Sequence, residues 1–461
     1  MLHLAVFLLA SALPTAAELK AGAAQADITP PSGYRMSGYF RERLNTGTRD
    51  PLHAKALYLE QGNERAALVF CDLIGVPAEV VAQARKIIEQ QIQVPGDHVL
   101  VAATHSHTGP LYYDVLREHF HRLAVEKHGS DPQEPFDYAE QLAKNIAAAV
   151  QQARDAAQPA RLAAGIAQQT GLSFNRRFHM KNGKVVFNPG RLNPDIVRPA
   201  GPIDPDVGLL LARDTASDRP VALLTVFALH LDTVGGTEYS ADYPYYLERD
   251  LRQHLGEPLV SLFGAGTCGD INHIDVSTLR PPGDRSETAR IGRQLAQTVI
   301  ENVDQLTPIG QVDLAVRMQT VDVPLQRYSP EQVESAHRNM AKIGSKELPF
   351  LDQVEATKIV AIELRGKSSL PLEVQVFRFS SEVALVSLPG EVFVELGLEV
   401  KRRSPFPTTL VVELANDNPH YVPTRKAFAE GSYEVVNSLV ETGGGERLVE
   451  AAVDLLKDLK P

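Results

Sequence analysis

The chain is short of cysteine, of net positive charge and of long apolar runs, and each shortage removes a class of protein. Two cysteines among 461 residues, Cys71 and Cys268, cannot supply a disulfide framework. Cys71 closes the apolar run Ala66-Ala67-Leu68-Val69-Phe70-Cys71 and reads as a buried thiol acting as a small hydrophobe. The 46 Lys and Arg against 57 Asp and Glu leave a formal net charge of −11 and a pI near 5.7. Nucleic-acid binders carry basic patches and a high pI, so no nucleic-acid partner is expected. Beyond the first residues nothing approaches the ~20 apolar residues that span a bilayer, and no transmembrane segment is expected. Repeats and low-complexity linkers are also missing. What remains is 44% hydrophobic and 22% charged with 32 Gly and 31 Pro, a globular, enzyme-sized composition. It suits two to four ordinary domains or one large α/β domain.

Met1 to Ala17 contains an apolar core ended by Pro14 and the small residues Thr15, Ala16 and Ala17. This is a secretory signal pattern with cleavage after Ala17, although its start lacks Lys and Arg. A buried N-terminal helix or strand is the competing reading. The mature part, 18–461, is then exported, to the periplasm or the medium. Within it, short β-rich runs alternate with helical patterns. Strands are expected over Ala56–Leu59, Ala66–Cys71, His98–Ala103, Val221–His230, Leu259–Phe263, Leu314–Val323, Leu372–Phe379, Val383–Leu388 and Thr409–Leu414. Helices are expected over Val80–Gln91, Phe136–Ala156, Tyr245–Leu255, Glu287–Val303, Pro330–Ile343 and Val392–Lys401, with a last one from Glu446. This interleaving predicts a mixed α/β (α+β) fold with helices flanking mixed sheets.

Chemistry-bearing residues gather where apolar strands run out into polar, Gly-rich loops. In Thr104-His105-Ser106-His107-Thr108-Gly109-Pro110 the two histidines are two apart and project to one face of an extended chain. A second apolar run, Val226 to Leu229, ends in His230. A third, Leu385 to Leu388, breaks at Pro389-Gly390 and is followed by Glu391, whose carboxylate also suits a helix N-terminus. The fourth loop, Ala415 to Thr424, carries His420 and Tyr421, and Gly431-Ser432-Tyr433-Glu434 follows it.

Together these motifs resemble the neutral ceramidase family of zinc-dependent amidases. Ala23-Ala24-Gln25-Ala26-Asp27-Ile28-Thr29-Pro30-Pro31 with Met36-Ser37-Gly38-Tyr39 is similar to the family's start, and Ala103 to Pro110 to its Thr-His-Thr-His-Ser-Gly-Pro signature. Asn175-Arg176-Arg177, Phe227 to His230, Ser240-Ala241-Asp242, Gly269-Asp270, Pro389-Gly390-Glu391 and Tyr421-Val422-Pro423-Thr424 follow in the family's order. The resemblance implies one large catalytic domain over 18–461 and one Zn2+ per chain on His105, His230, Glu391 and Tyr421. It implies His107 beside the metal as an acid/base or substrate-contacting group, Tyr433 on the oxyanion and Arg176 lining the site. Asn175, Asp270 and Asn272 become substrate-binding residues. Imidazole and carboxylate are ordinary zinc ligands and phenol an uncommon one.

Two departures qualify the likeness. The family's Gly-Asp-Val-Ser-Pro-Asn is here Gly269-Asp270-Ile271-Asn272-His273-Ile274, so no serine nucleophile stands at that place and attack by water is expected. The chain also stops at Pro461, without the family's C-terminal immunoglobulin-like domain. The implied substrate is ceramide or a related N-acyl lipid, with transient membrane-surface contact. The alternatives are another amide or ester, such as an N-acyl amino acid or a cell-wall or polysaccharide acyl group, and a non-catalytic ligand-binding homologue. Leu111 to Pro135, with His119, His121 and His128, reads either as a lid near the site or as a helix with solvated histidines.

Overall fold

Period-2 burial of the strands builds the fold. In Ala66 to Cys71, Ala66, Leu68 and Phe70 enter one core while Ala67, Val69 and Cys71 enter another, because successive side chains leave a strand on opposite faces. A computed structural model describes residues 17–279 and 285–461; the signal sequence expected over Met1–Ala17 lies, save Ala17, outside the described residues. The large sheet contains β1 (Leu19–Asp27), β2 (His53–Gln61), β3 (Glu64–Cys71), β4 (Val99–Ala103), β5 (Gln158–Gln168), β6 (Asp206–Asp214), β7 (Pro220–Phe227) and β8 (Val260–Ala265). Their order is β8-β7-β6-β5-β1-β2-β3-β4. Its neighbours are antiparallel except the terminal pairs β7/β8 and β3/β4, which are parallel. A second sheet runs β9 (Ala315–Pro324), β10 (Ser369–Arg378), β11 (Val383–Ser387) and β12 (Thr408–Val412), with β11/β12 parallel.

The sheets pack face to face through Leu68, Phe70, Leu100, Leu210, Leu224, Phe377, Leu385, Leu410 and Val412. On the outer face of the large sheet lie α1 (Ala78–Ile92) and α3 (Tyr138–Asp155), beside α4 (Tyr243–Leu255) and α5 (Arg285–Asn302); α2 (Asp114–His128) precedes α3. The outer face of the second sheet is covered by α6 (Pro330–Met340), α7 (Phe350–Arg365), α8 (Val394–Arg403) and α11 (Gly444–Leu459), the short α9 (Arg425–Glu430) and α10 (Tyr433–Val436) preceding the last. The result is the mixed α/β architecture expected, in four layers.

The differences from expectation have local causes. The strand expected over Val221–His230 stops at Phe227, where the Leu229 amide turns back to the Phe227 carbonyl at 3.1 Å. The helix expected from Val392 begins at Val394, because Glu391 and Val392 pair in parallel with Tyr421 and Val422. Strand β1 escapes a pattern reading because it is built of Ala and Gly rather than β-branched residues: α3 lies so close that a Cβ on Gly22 would fall 2.1 Å from the Ala153 carbonyl oxygen. The segment Leu111 to Pro135 forms α2, with His119 buried, His121 at 2.8 Å from Asp131 and His128 exposed.

The Gly22 contact is against backbone and cannot be relieved by a rotamer change. Gly22→Ala is therefore expected to destabilise the protein by about 1–3 kcal/mol, read as a lower urea midpoint; an unchanged midpoint would show that α3 is not seated on β1 in this way.

Candidate metal centre

Parallel pairing puts C-terminal strand ends side by side, and the four loops singled out in the sequence follow such ends. His105 follows β4, His230 follows β7, Glu391 follows β11, and Tyr421 follows β12. Neighbouring loops clamp the first: the amides of His105 and His107 donate to the carbonyls of Leu73 (2.8 Å) and Leu231 (3.1 Å). Glu391 reaches the site through the tight turn at Gly390 (φ 77°), where a Cβ would lie 2.6 Å from the His420 carbonyl oxygen.

The imidazoles meet tip to tip. His105 Nε2 lies 2.9 Å from His230 Nε2 and 3.2 Å from His107 Nε2. Glu391 Oε2 is 3.3 Å from His105 Nε2 and 3.5 Å from His230 Nε2. It is buried and has no hydrogen-bond partner. The far nitrogens decide the tautomers: His105 Nδ1 faces the Ile74 carbonyl at 2.8 Å and His230 Nδ1 the Cys268 carbonyl at 3.1 Å. A carbonyl only accepts, so each Nδ1 carries a proton and each Nε2 is the nitrogen turned inward as the candidate ligand atom.

Charge states agree with this. Burial pushes the His230 imidazole well below its ordinary range, helped by His105 and Arg176. Burial and His105 push His107 down to about 4. For Glu391 burial works in the opposite direction, but His105, His230 and Arg176 outweigh it and hold the carboxyl well below the usual carboxylate range. Imidazole nitrogens and a carboxylate oxygen that converge within about 3.5 Å are held together by a cation among them, a proton or a metal ion. His105, His107 and His230 bring their ligand atoms within 4.8 Å of one another, so the donor set fits a divalent metal with imidazole and carboxylate ligands.

Tyr421 and Tyr433 stand on the wall of the same cavity. The Tyr421 hydroxyl accepts from Arg176 Nη2 at 3.0 Å; Arg176 also donates to the Gly269 carbonyl (2.7 Å) and Glu434 (2.9 Å). Burial pushes the Tyr421 hydroxyl well above its ordinary value, against the pull of Arg176. Tyr433 stacks on Phe350 (centroids 5.6 Å apart) and packs against Phe187 (4.8 Å). Asn175, Asp270 and Asn272 lie outside the cavity lining and bond to the scaffold. Asn175 Nδ2 donates to Asp270 at 2.8 Å, Asp270 accepts from the Val394 amide at 2.9 Å, and Asn272 Nδ2 donates to Asn188 at 3.0 Å.

Three further pairs support the centre. Beneath His230, Cys268 Sγ donates to Glu413 at 3.0 Å, and burial pushes that carboxyl well above the usual carboxylate range. Its one sequence signal is a carboxylate inside the apolar run Val411-Val412-Glu413-Leu414. Asp232, two residues past His230, bonds His273 at 3.1 Å, and His420 bonds Asp114 at 2.5 Å; pairing over 41 and 306 positions leaves no local pattern. The cavity holds about 750 Å³ including its open mouth. Its lining includes Tyr39, Phe40, Ile74, Leu111, Val115 and Leu116 beside the polar residues described.

The fold has solved counterparts. The crystal structure of a neutral ceramidase from Pseudomonas aeruginosa matches with a TM-score of 0.71 at 18% identity, over 96% of this chain and 75% of that one. A ceramidase complexed with C2 matches with the same TM-score, identity and coverage. The chain therefore has a neutral ceramidase-like fold. No protein-family model matches it, and no curated protein does.

Metal binding is tested by chelating the protein and titrating Zn2+ or Co2+. The thermal midpoint is expected to rise by the equivalent of about 2.7 kcal/mol at a hundredfold excess over Kd, and His230→Ala to abolish the rise; no shift with either ion would contradict the donor-set argument. A second prediction concerns Asp270, whose carboxyl burial pushes up to about 6 against its hydrogen bonds from Val394 and Asn175. Its folded pKa exceeds its unfolded value near 3.9, so its contribution is fully present below about pH 4 and is lost as pH rises towards 6. Asp270→Asn should flatten the pH dependence of unfolding free energy between pH 4 and 6 by up to about 1.4 kcal/mol per pH unit; parallel curves would contradict this.

Proposed function

We propose that this chain is an exported zinc amidohydrolase that cleaves the N-acyl amide bond of ceramide or a related N-acyl lipid, with 18–461 acting as one catalytic unit. The observation that carries the reading is the buried convergence of His105, His230 and Glu391, the first and last lining a partly apolar cavity, on a neutral ceramidase-like fold. His105, His230 and Glu391 would hold the ion, with Tyr421 as the fourth candidate. A bound zinc ion supplies Lewis acidity, polarising a carbonyl and lowering the pKa of water towards 7.

The chain's own residues account for the remaining steps. His107 is held neutral at pH 7 by burial and by His105; it accepts the proton of the attacking water and returns it to the leaving nitrogen. The C–N bond breaks, a C–O bond forms, and a carboxylate and an amine leave. The Tyr433 hydroxyl donates to the developing oxyanion, and Arg176 fixes Tyr421 and contributes positive charge. Asn175, Asp270 and Asn272 act on substrate through the loops they hold. Asn272 offers no hydroxyl, which favours direct attack by water over an acyl-enzyme. The apolar lining of Phe40, Ile74, Leu111, Val115 and Leu116 suits an acyl chain.

The zinc-loaded mature protein is expected to release fatty acid from N-acyl sphingosine, and His105→Ala or His230→Ala to lower kcat/KM by at least about a hundredfold. A panel of acyl compounds checks the substrate class. Preference for short, water-soluble amides or esters would move the assignment to a different acyl hydrolase, and stoichiometric metal without any hydrolysis would leave a ligand-binding role.

A further inference from the structure

Four side chains of the cavity wall form a hydrogen-bonded series, of which the reaction described above uses only Tyr433. Asp114 Oδ2 faces His420 Nε2 at 2.5 Å, His420 Nδ1 faces Asn437 Oδ1 at 3.3 Å, and Asn437 Nδ2 donates to the Tyr433 hydroxyl at 3.4 Å. All four line the cavity. The series is held under backbone constraint. Asp114 (φ 72°), His420 (φ 61°) and Ser432 (φ 83°), which precedes Tyr433, are non-glycine residues in the left-handed region. Such conformations persist where the surroundings over-determine them, and they gather at functional sites. Arg365, 3.8 Å from Asp114 Oδ1, steadies the far end.

The series has a direction. A carboxylate only accepts, so His420 Nε2 carries a proton towards Asp114. On the Asn437 side the amide oxygen faces the other ring nitrogen at 3.3 Å and Nδ2 donates to the Tyr433 hydroxyl at 3.4 Å. An amide nitrogen only donates. The Tyr433 oxygen is therefore an acceptor on that side, and its own proton has to point elsewhere. Phe187 and Phe350 pack on the ring and Tyr421 also hydrogen-bonds the Tyr433 oxygen as a donor, so the cavity is the side left for the Tyr433 proton.

We propose that Asp114, His420 and Asn437 are positioning residues that keep the Tyr433 hydroxyl aimed into the cavity as a hydrogen-bond donor to the carbonyl oxygen of the substrate. The assignment rests on the amidase reading for its catalytic meaning. Asn437→Leu is expected to lower kcat on N-acyl sphingosine about tenfold with KM nearly unchanged. Asn437→Asp, the same size but acceptor-only, loses as much, which a packing role would not require. In a Tyr433→Phe background neither change costs anything further, because the group they aim is gone. Asp114→Asn, followed in the same two backgrounds, stands in if an Asn437 variant fails to fold by thermal unfolding.

A readout independent of turnover comes from 13Cζ-tyrosine NMR of the metal-free and metal-loaded protein. The Tyr433 resonance, assigned as the one lost in Tyr433→Phe, moves in Asn437→Leu and in Asp114→Asn. Losses that add in the Tyr433→Phe background, or a Tyr433 resonance that stays in place in both variants, would overturn the proposal. A wild-type protein that hydrolyses no acyl substrate would defeat the amidase reading instead, and the resonance would still decide whether the series orients Tyr433.

Discussion

Two imidazoles held tip to tip at 2.9 Å, with a carboxylate beside them, need other groups to fix them there. The fixing groups are backbone carbonyls. Ile74 holds His105 and Cys268 holds His230 by their outer nitrogens, which turns both Nε2 atoms inward. Each carbonyl belongs to the loop after the strand that is the parallel partner of the one delivering the histidine: β3 for β4, and β8 for β7. Glu391 repeats the arrangement. It follows β11, and its amide donates at 2.9 Å to the carbonyl of His420, from the segment after β12. Within the two large, mainly antiparallel sheets three strand pairs are parallel, and each supplies a candidate ligand from the loop after one strand and its orienting group from the loop after the other.

The surrounding charges are arranged to tolerate this convergence. The Glu391 carboxyl is held well below the usual carboxylate range, whereas burial pushes the neighbouring Glu413 carboxyl up, and Glu413 accepts hydrogen bonds from Cys268 Sγ and the Val392 amide. Arg176 brings positive charge against Tyr421 while Glu434 neutralises its other side. Burial raises the strength of each of these interactions, so removing one partner would leave an uncompensated charge in a site with little water.

Much of this is legible in the sequence, because apolar strands ending in histidine or in Pro-Gly-Glu mark where strand termini meet solvent. His-x-His before Gly-Pro places His105 and His107 on one side of an extended loop, and the structure does bring both to His230. The unread parts share a cause, which is contact between segments remote in the chain. Asp114 and His420 carry no local pattern that pairs them, and the role of Cys268 depends on Glu413 lying beneath it. Strands β1 and β5 are rich in alanine because helices or neighbouring strands approach them closely, so they lack the β-branched signature of a strand. Asn175, Asp270 and Asn272 stood out through their motif, yet their hydrogen bonds are spent on the scaffold.

The central claim is that the meeting point of His105, His230 and Glu391 is a cation site. Anomalous diffraction at the zinc absorption edge, from crystals grown with zinc, tests it most directly. The account predicts a single strong peak about 2.0–2.2 Å from His105 Nε2, His230 Nε2 and the Glu391 carboxylate. No peak there, with His105 and His230 joined directly by a proton, would contradict it.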